Sequence, residues 1–385
     1  MASSTIQTDN KTTRFQAKVR QEYVRGGRFG PDIGASENSV IQTNKNLKKT
    51  SIPLIGKING GGVRGSSQLA GNETALSNYA ATAQPTYHRQ GVLVDNEENE
   101  LAEFDLFSAA RPALNNWTME LKRDEIIQSL LAVEAGGTYY NWGGSVGATG
   151  SSAASAANLD TWDTNNGDRI IYGAALSNRT AGNVTTSLAT IDTTNDKLTA
   201  AMVTLAKRRC ELANPLIRPV MVKGDEPWYI LYVGALSFRD LQNDTTISAA
   251  NREARPRAVA DNPIFTGGDL VYNGVIIKKI ADIDKFIDGD STNSDWDGVW
   301  GANATGDKLS TAGNSSSRVG VGFMCGGQAI GFHIGRMASF KRRKEDDYEH
   351  QNGVGTTMKH DIKKVFYNNK QHGMLTIFHS ASADA

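Results

Sequence analysis

The stretch PLIGKINGGGVRGSSQLAGNETALSNYAATAQPTYHRQGVLVDNEENELAEFD (53–105) runs directly into LFSAARPALNNWTMELKRDEIIQSLLAVEA (106–135), and the junction of the two decides how the chain is read. The first part is rich in glycine and small polar residues and too poor in apolar ones to bury a core of its own. Ordering each residue costs about 1–2 kcal/mol of backbone entropy, so a coreless segment of this length needs an ordering surface outside the subunit. A neighbouring copy of the same chain is the simplest such surface, and the chain reads as an assembly protein. The second part carries apolar side chains at Phe104, Phe107, Ala110, Leu114, Trp117, Leu121, Ile127, Leu130 and Leu131. This three-and-four spacing predicts one long helix over about 106–135 with one buried face, its core formed by Phe107, Leu114, Trp117, Leu121 and Leu131. Asp105 can complement the helix N-terminus, and Gly136 and Gly137 can end the helix. Pro112 either kinks it or occupies its first turn, with regular helix starting near Arg111.

Outward from this junction, residues 1–52 read as an extended polar arm with one short helix near 16–23. Residues 53–104 read as a two-stranded twisted loop, with Thr86–Asp95 as one strand and Gly60, Gly61 and Gly62 allowing a tight reversal. The Gly/Ser/Ala/Asn-rich stretch 138–183 reads as a long surface insertion with scattered Tyr139, Tyr140, Trp142 and Trp162, dispensable for the basic fold. A second helix is expected over 192–213, with Leu198, Met202, Leu205 and Cys210 on one face. Strands follow at 217–222 and 228–233, then a short helix at 237–241 and an Arg-rich excursion at 245–262. LVYNGVIIKKI (270–280) predicts a hairpin turning at Asn273 and Gly274. A second insertion covers 286–317, and 319–337 is a small-residue apolar segment packed on a sheet. Two strands, 363–367 and 374–379, close the chain. The class is α+β.

The formal net charge is zero, with 41 Lys/Arg and 41 Asp/Glu, so the whole chain is neither a basic nucleic-acid binder nor an acidic tail. The charge is nonetheless divided. Residues 1–64 hold 11 Lys/Arg against 4 Asp/Glu, a net +7, and residues 73–134 hold 4 against 11, a net −7. Opposite signs of this size suit attraction between subunits. They place Arg14, Lys18, Arg20, Arg25, Arg28, Arg64 and Arg89, with Glu97, Glu98 and Glu100, at expected subunit contacts.

Catalytic motifs are missing. GKINGGGVRG (56–65) lacks the Lys-Ser/Thr ending of a phosphate-gripping loop, and neither GxSxG nor HExxH occurs. None of the six histidines pairs at i, i+4. DGDSTNSDWD (288–297) approaches a calcium loop, but Asn293 stands where glycine is needed and no glutamate closes it. KRRK (341–344) is followed by Glu345, Asp346 and Asp347, which reads as local ion pairing. Cys210 and Cys325 form no CxxC and read as buried thiols of a reducing compartment. No apolar run approaches the ~18 residues of a membrane span, and the N-terminus has no apolar signal region. No enzyme, cofactor, metal or membrane is expected.

Four stretches in this order resemble the major capsid proteins of tailed bacteriophages, and within them the N-four-like capsid family: KKTSIPLIGKINGGGVRGSSQLAGNETALSNY (48–79), HRQGVLVDNEENELAEFDLFSAARPALNNWTMELKRDEIIQSLL (88–131), PLIRPVMVKGDEPWYILYVGALSFRDLQND (215–244) and KHDIKKVFYNNKQHGMLTIFHSA (359–381). They cover about half the chain. Pro112 and the two long insertions depart from the pattern. The resemblance implies the Hong Kong 97-type fold: an N-terminal arm (1–52), an extended loop lying on the adjacent subunit (53–104), a peripheral domain with a spine helix (105–195), an axial domain (196–335) and a C-terminal return to the peripheral domain (336–385). It further implies pentamers and hexamers in an icosahedral shell around non-specifically packaged double-stranded DNA. Portal and scaffolding proteins would be partners, with room for a decoration protein, and the virion, assembled in the host cytoplasm, would be the location. Two other readings stand beside it. One is an encapsulin-type compartment of the same fold. The other is a carbohydrate-binding or hydrolytic protein using Trp142, Trp162, Trp296 and Trp300 as sugar platforms, with paired carboxylates as acid and base.

Overall fold

The computed structural model describes residues 28–29, 49–58, 60, 62–95, 106–143, 153–222, 226–253, 270–288, 309, 312–343 and 351–382. Its centre is a seven-stranded mixed sheet. The path runs β6 (Ile170–Tyr172), β16 (Met374–Ser380), β11 (Val319–Cys325), β8 (Glu226–Val233), β10 (Val275–Lys279), β9 (Leu270–Tyr272), with β7 (Val220–Val222) pairing the start of β8. β6 runs parallel to β16 and β10 parallel to β8; the other pairs are antiparallel. β11 and β16 are buried along their whole length, as strands covered on both faces must be.

Alternating side chains divide the core between the two faces. Leu231, Val233, Met324, Leu375 and Ile377 pack with Met202, Val203, Ala206 and Cys210 of helix α4 (Ala200–Leu212) and Phe238 and Leu241 of helix α5 (Ala235–Asn243). Ile230, Tyr232, Val321, Phe323 and Phe378 face the opposite way, towards Ile127, Leu130 and Leu131 of the long helix α1 (Leu106–Leu131) and towards Trp142 and Trp162. Helices α2 (Ala156–Asn165), α3 (Val184–Ala189), α6 (Thr245–Glu253) and α7 (Asp282–Asp288) complete the set.

Beside this body, α1 lies on a three-stranded antiparallel sheet in the order β12 (Ile330–Arg343), β13 (Gln351–Lys364), β3 (Thr86–Asp95). β13 turns Val354, Thr356, Met358, His360, Ile362 and Lys364 inward. β1 (Thr50–Ile55) and β2 (Asn78–Ala83) form a separate hairpin ladder. β4 (Val133–Ala135) and β5 (Thr138–Tyr140) form one small hairpin, and β14 (Phe366–Tyr367) and β15 (Lys370–Gln371) form another.

Several sequence expectations need correction. The long helix stops at Leu131; Val133–Ala135 is a strand, and Gly136 and Gly137, at φ 58° and 78°, form the β4–β5 turn instead of a helix cap. Pro112 lies inside the helix, past its first turn. The second helix spans Ala200–Leu212, with Leu205 only partly buried. Residues 319–337 are two strands in two different sheets, β11 and the start of β12. The boundary expected at 335/336 falls within β12. The last strand, β16, lies inside the seven-stranded sheet between β6 and β11, with Phe378 turned towards α1.

The largest correction concerns 138–183. Much of its described part is core, not a surface insertion. Trp142, Trp162, Arg169 and Tyr172 are among the largest fully buried side chains. Trp142 meets Trp162 edge-on at 6.3 Å, and Tyr172 stacks on Phe378 at 5.2 Å. Buried Asp163 accepts hydrogen bonds from Arg179, Tyr172 Oη and Gly182 N. Arg169 Nη1 donates to the carbonyls of Gln371 and His372, and its Nη2 to that of Pro215. The sugar-platform reading fails with this, because Trp142 and Trp162 have no exposed face; Trp296 and Trp300 lie outside the described residues.

Candidate assembly surface

The β1–β2 hairpin is registered from Thr50↔Ala83 to Ile55↔Asn78, and Gly56 N donates to Ser77 O at 2.8 Å just beyond it. The residues between are held by short local bonds, such as Asn72 N to Leu69 O and Gly71 N to Glu73 Oε2. Gly60, Gly62, Gly65 and Gly71 all have positive φ, and a Cβ at any of them would meet nothing within 4 Å. Four large apolar side chains of this loop are bare: Ile55 at 66 % exposure, Ile58 at 63 %, Leu69 at 61 % and Leu76 at 57 %. Tyr87 and Leu93 on β3 are also exposed. Single exposed apolar residues are ordinary; a whole loop of them with no core beneath it among the described residues is the kind of surface that interaction sites present.

The root of the loop is anchored. Ala83 and Pro85 are buried, and Asp361 Oδ2 accepts the Gln84 N–H at 2.7 Å. The Lys359 ammonium lies 5.3 Å from the Tyr87 ring centroid. His88 and His360 stack at 4.4 Å, both facing Glu125 of α1. Burial lowers His88 from its ordinary value and His360 lowers it further; Glu125, Asp361 and a hydrogen bond to the His360 backbone oppose this. Among the described residues, β3 has a ladder partner on one edge only, β13.

Of the expected contact residues, Arg28, Arg64 and Arg89 are exposed. Arg64 lies on the loop and Arg89 on β3. Phe29, next to Arg28, packs on Tyr232 of the subunit's own sheet at 5.0 Å. Arg14, Lys18, Arg20, Arg25, Glu97, Glu98 and Glu100 lie outside the described residues, as do the expected helix at 16–23 and the Glu345–Asp347 side of the expected KRRK ion pairing. Of the expected helix core, Leu114, Leu121 and Leu131 are buried, while Trp117 is half-buried at the core's margin. The side chain of Phe107 is outside the described set. Cys210 and Cys325 are free and buried, and burial pushes both thiols up, Cys325 to about 12. Sequence reading missed a second bare apolar group, Leu176, Leu212, Leu216 and Met221. Leu176 and Leu212 flank a groove with Leu205, Arg208, Arg209 and Asp168. The signal was present in Leu205 and Leu212, seven residues apart on α4, but it reads equally well as core.

Comparison with known proteins extends over nearly the whole chain. A family model described as phage capsid protein matches residues 5–383. The major capsid protein of Pseudomonas phage KPP25 is 26 % identical over 347 residues, covering 84 % of this chain and 80 % of that one. Among solved structures, the cyanophage Pam1 capsid asymmetric unit superposes with a TM-score of 0.83 at 31 % identity, with both chains fully covered. The capsid of Ralstonia phage GP4 shares the fold, with a TM-score of 0.64 at 17 % identity and full coverage of both chains. An exposed coreless loop on an anchored root, a long helix beside a three-stranded sheet and these likenesses agree, and the chain belongs to the phage capsid protein family.

Proposed function

We propose that the chain self-assembles through pentamers and hexamers into an icosahedral phage head enclosing double-stranded DNA, as an N-four-like protein of the Hong Kong 97 type. One observation carries this reading. The loop's root is fixed on α1 and β13, while Ile55, Ile58, Leu69 and Leu76 beyond it stay bare against all the described residues of their own subunit. In this reading residues 53–104 lie across the adjacent subunit, α1 is the spine of the peripheral domain, and the seven-stranded sheet belongs chiefly to the axial domain. Residues 1–52 form an arm along subunit boundaries. Portal and scaffolding proteins and the packaged genome are its partners, with room for a decoration protein.

Replacing 57–76 by a short Gly-Ser linker tests this directly. The cut spares β3, whose removal would strip β13 of one of its two ladder partners. Expected are a soluble subunit with an unchanged melting temperature and no shells in negative-stain images; normal shells would overturn the proposal. The basic arm is assigned to protein contacts, because a net-neutral chain does not make a strongly basic lining for DNA. Neutralising Arg14, Lys18, Arg20, Arg25 and Arg28 together should weaken empty shells in a salt-dependent way, since a Debye length of ~8–10 Å screens partly exposed pairs. A defect confined to DNA-filled shells would move the arm's role to the genome. Nucleic acid inside purified shells separates a head from an encapsulin-type compartment.

A further inference from the structure

Strand β3, helix α1 and strand β13 meet at three side chains with metal-ligand chemistry. His88, Glu125 and His360 each offer one donor atom, and these atoms lie within 4.8 Å of one another. Glu125 Oε1 is 3.4 Å from His88 Nδ1, and Glu125 Oε2 is 2.5 Å from His360 Nε2. An ion with bonds of about 2.0–2.2 Å in tetrahedral geometry holds its ligand atoms roughly 3.3–3.5 Å apart. The first spacing fits as it stands, and the second needs a widening of about 1 Å, within reach of rotation of the glutamate side chain. We propose that His88, Glu125 and His360 bind a divalent transition ion of the zinc class, which clamps the root of the extended loop to the long helix.

Three further observations favour an ion over a plain hydrogen-bonded cluster. Thr86 Oγ1 lies 3.2 Å from His88 Nε2, so that nitrogen has its own partner and Nδ1 is left for the ion, the outer-shell arrangement that orients ligating imidazoles. The two rings stack with an interplanar angle of 17° and present to the same carboxylate, a posture that two ligands of one ion share. The three side chains are only 14 %, 13 % and 2 % exposed, and a cation offsets the cost of burying a carboxylate charge there. Two imidazoles and one carboxylate suit zinc, cobalt or nickel; calcium and magnesium prefer all-oxygen sets. The remaining coordination position would be open to water. The three residues belong to one subunit, so the site does not depend on shell formation.

The test uses the full chain, stripped with a chelator and titrated with zinc chloride by calorimetry, with metal content measured by mass spectrometry. One zinc per chain is expected, with a melting temperature raised by about 3–6 °C when free zinc is ~100-fold above Kd. X-ray absorption of the zinc-loaded protein should show nitrogen and oxygen neighbours including two imidazoles. His88→Gln, a change on an edge strand, should lower zinc affinity at least about tenfold and abolish the thermal shift. Absence of saturable uptake, a sulfur-containing or imidazole-free shell, or equal affinity in wild type and His88→Gln would each overturn the proposal. The absorption spectrum of the wild type decides even if the variant does not fold.

Discussion

Residues 53–82 and 153–173 are written in much the same small polar alphabet, yet one stretch lies bare and the other is largely core. The difference is in where their polar groups find partners. In the loop, hydrogen bonds stay within the segment, in the β1–β2 ladder and in local links such as those from Asn72 to Gln68 and Leu69. In the second stretch they span the chain. Asn166 accepts from Gln371 N and donates to Asn369 O, and Arg169 reaches the carbonyls of residues 215, 371 and 372. A few large residues, Trp162 and Tyr172 among them, then fill the space that those bonds enclose. Small polar composition is silent about burial, and long-range satisfaction of polar groups settles it.

The contrast can be broken at its strongest point first. Arg169→Met should cost about 2–4 kcal/mol, because the fully buried guanidinium is the charged donor to the carbonyls of Gln371, which is buried, and of His372 and Pro215, which are partly buried. Denaturant unfolding of the subunit reads this, and a loss under about 1 kcal/mol would mean that the segment is not tied in through Arg169.

Next comes Lys364, buried with its ammonium 3.1 Å from Gln371 Oε1 and 5.7 Å from the Trp162 ring centroid. Burial lowers its pKa to about 7. The unfolded chain holds that proton up to about pH 10.4, so across pH 7 to about 10 the unfolded state binds more protons and stability rises with pH. Below pH 7 both states are protonated and this contribution is flat. Melting temperatures from pH 7 to 9.5 should climb more steeply in wild type than in Lys364→Met; parallel curves would contradict the shift.

Smaller again is Trp117→Ala. The ring is half-buried, so a loss of about 1–2 kcal/mol is expected, not the 3–5 of a fully buried tryptophan. The smallest effect on subunit stability belongs to the replacement of 57–76, where the melting temperature should not move although assembly is lost.

What was legible in the sequence follows the same physics. The Asn273–Gly274 turn was readable because it needs positive φ at both positions, and it has 48° and 72°. The body of α1 was readable because its apolar stripe repeats over many turns. The strand β13 was not, because three of its inward positions are Thr356, His360 and Lys364, which spoil the apolar alternation. The end of α1 was missed because Gly136 and Gly137 suit a helix stop and a hairpin turn equally. The His88–Glu125–His360 cluster was invisible, since Glu125 and His360 stand 235 positions apart and only the fold joins them. The bareness of the loop was the most legible feature of all, because it is a shortage of apolar residues that composition states directly.

The placement of β16 sets a clock. This strand lies between β6 and β11 in the middle of the central sheet, yet it is made after every other strand. Until residue 380 has left the ribosome, β6 has no ladder partner and β11 lacks one of its two. Pairing across more than two hundred positions is also slow, because a long chain must close before any contact rewards it. A growing chain thus carries its bare loop long before its central sheet is complete, and under the proposed function an unfinished copy would offer a neighbour no finished body to dock upon.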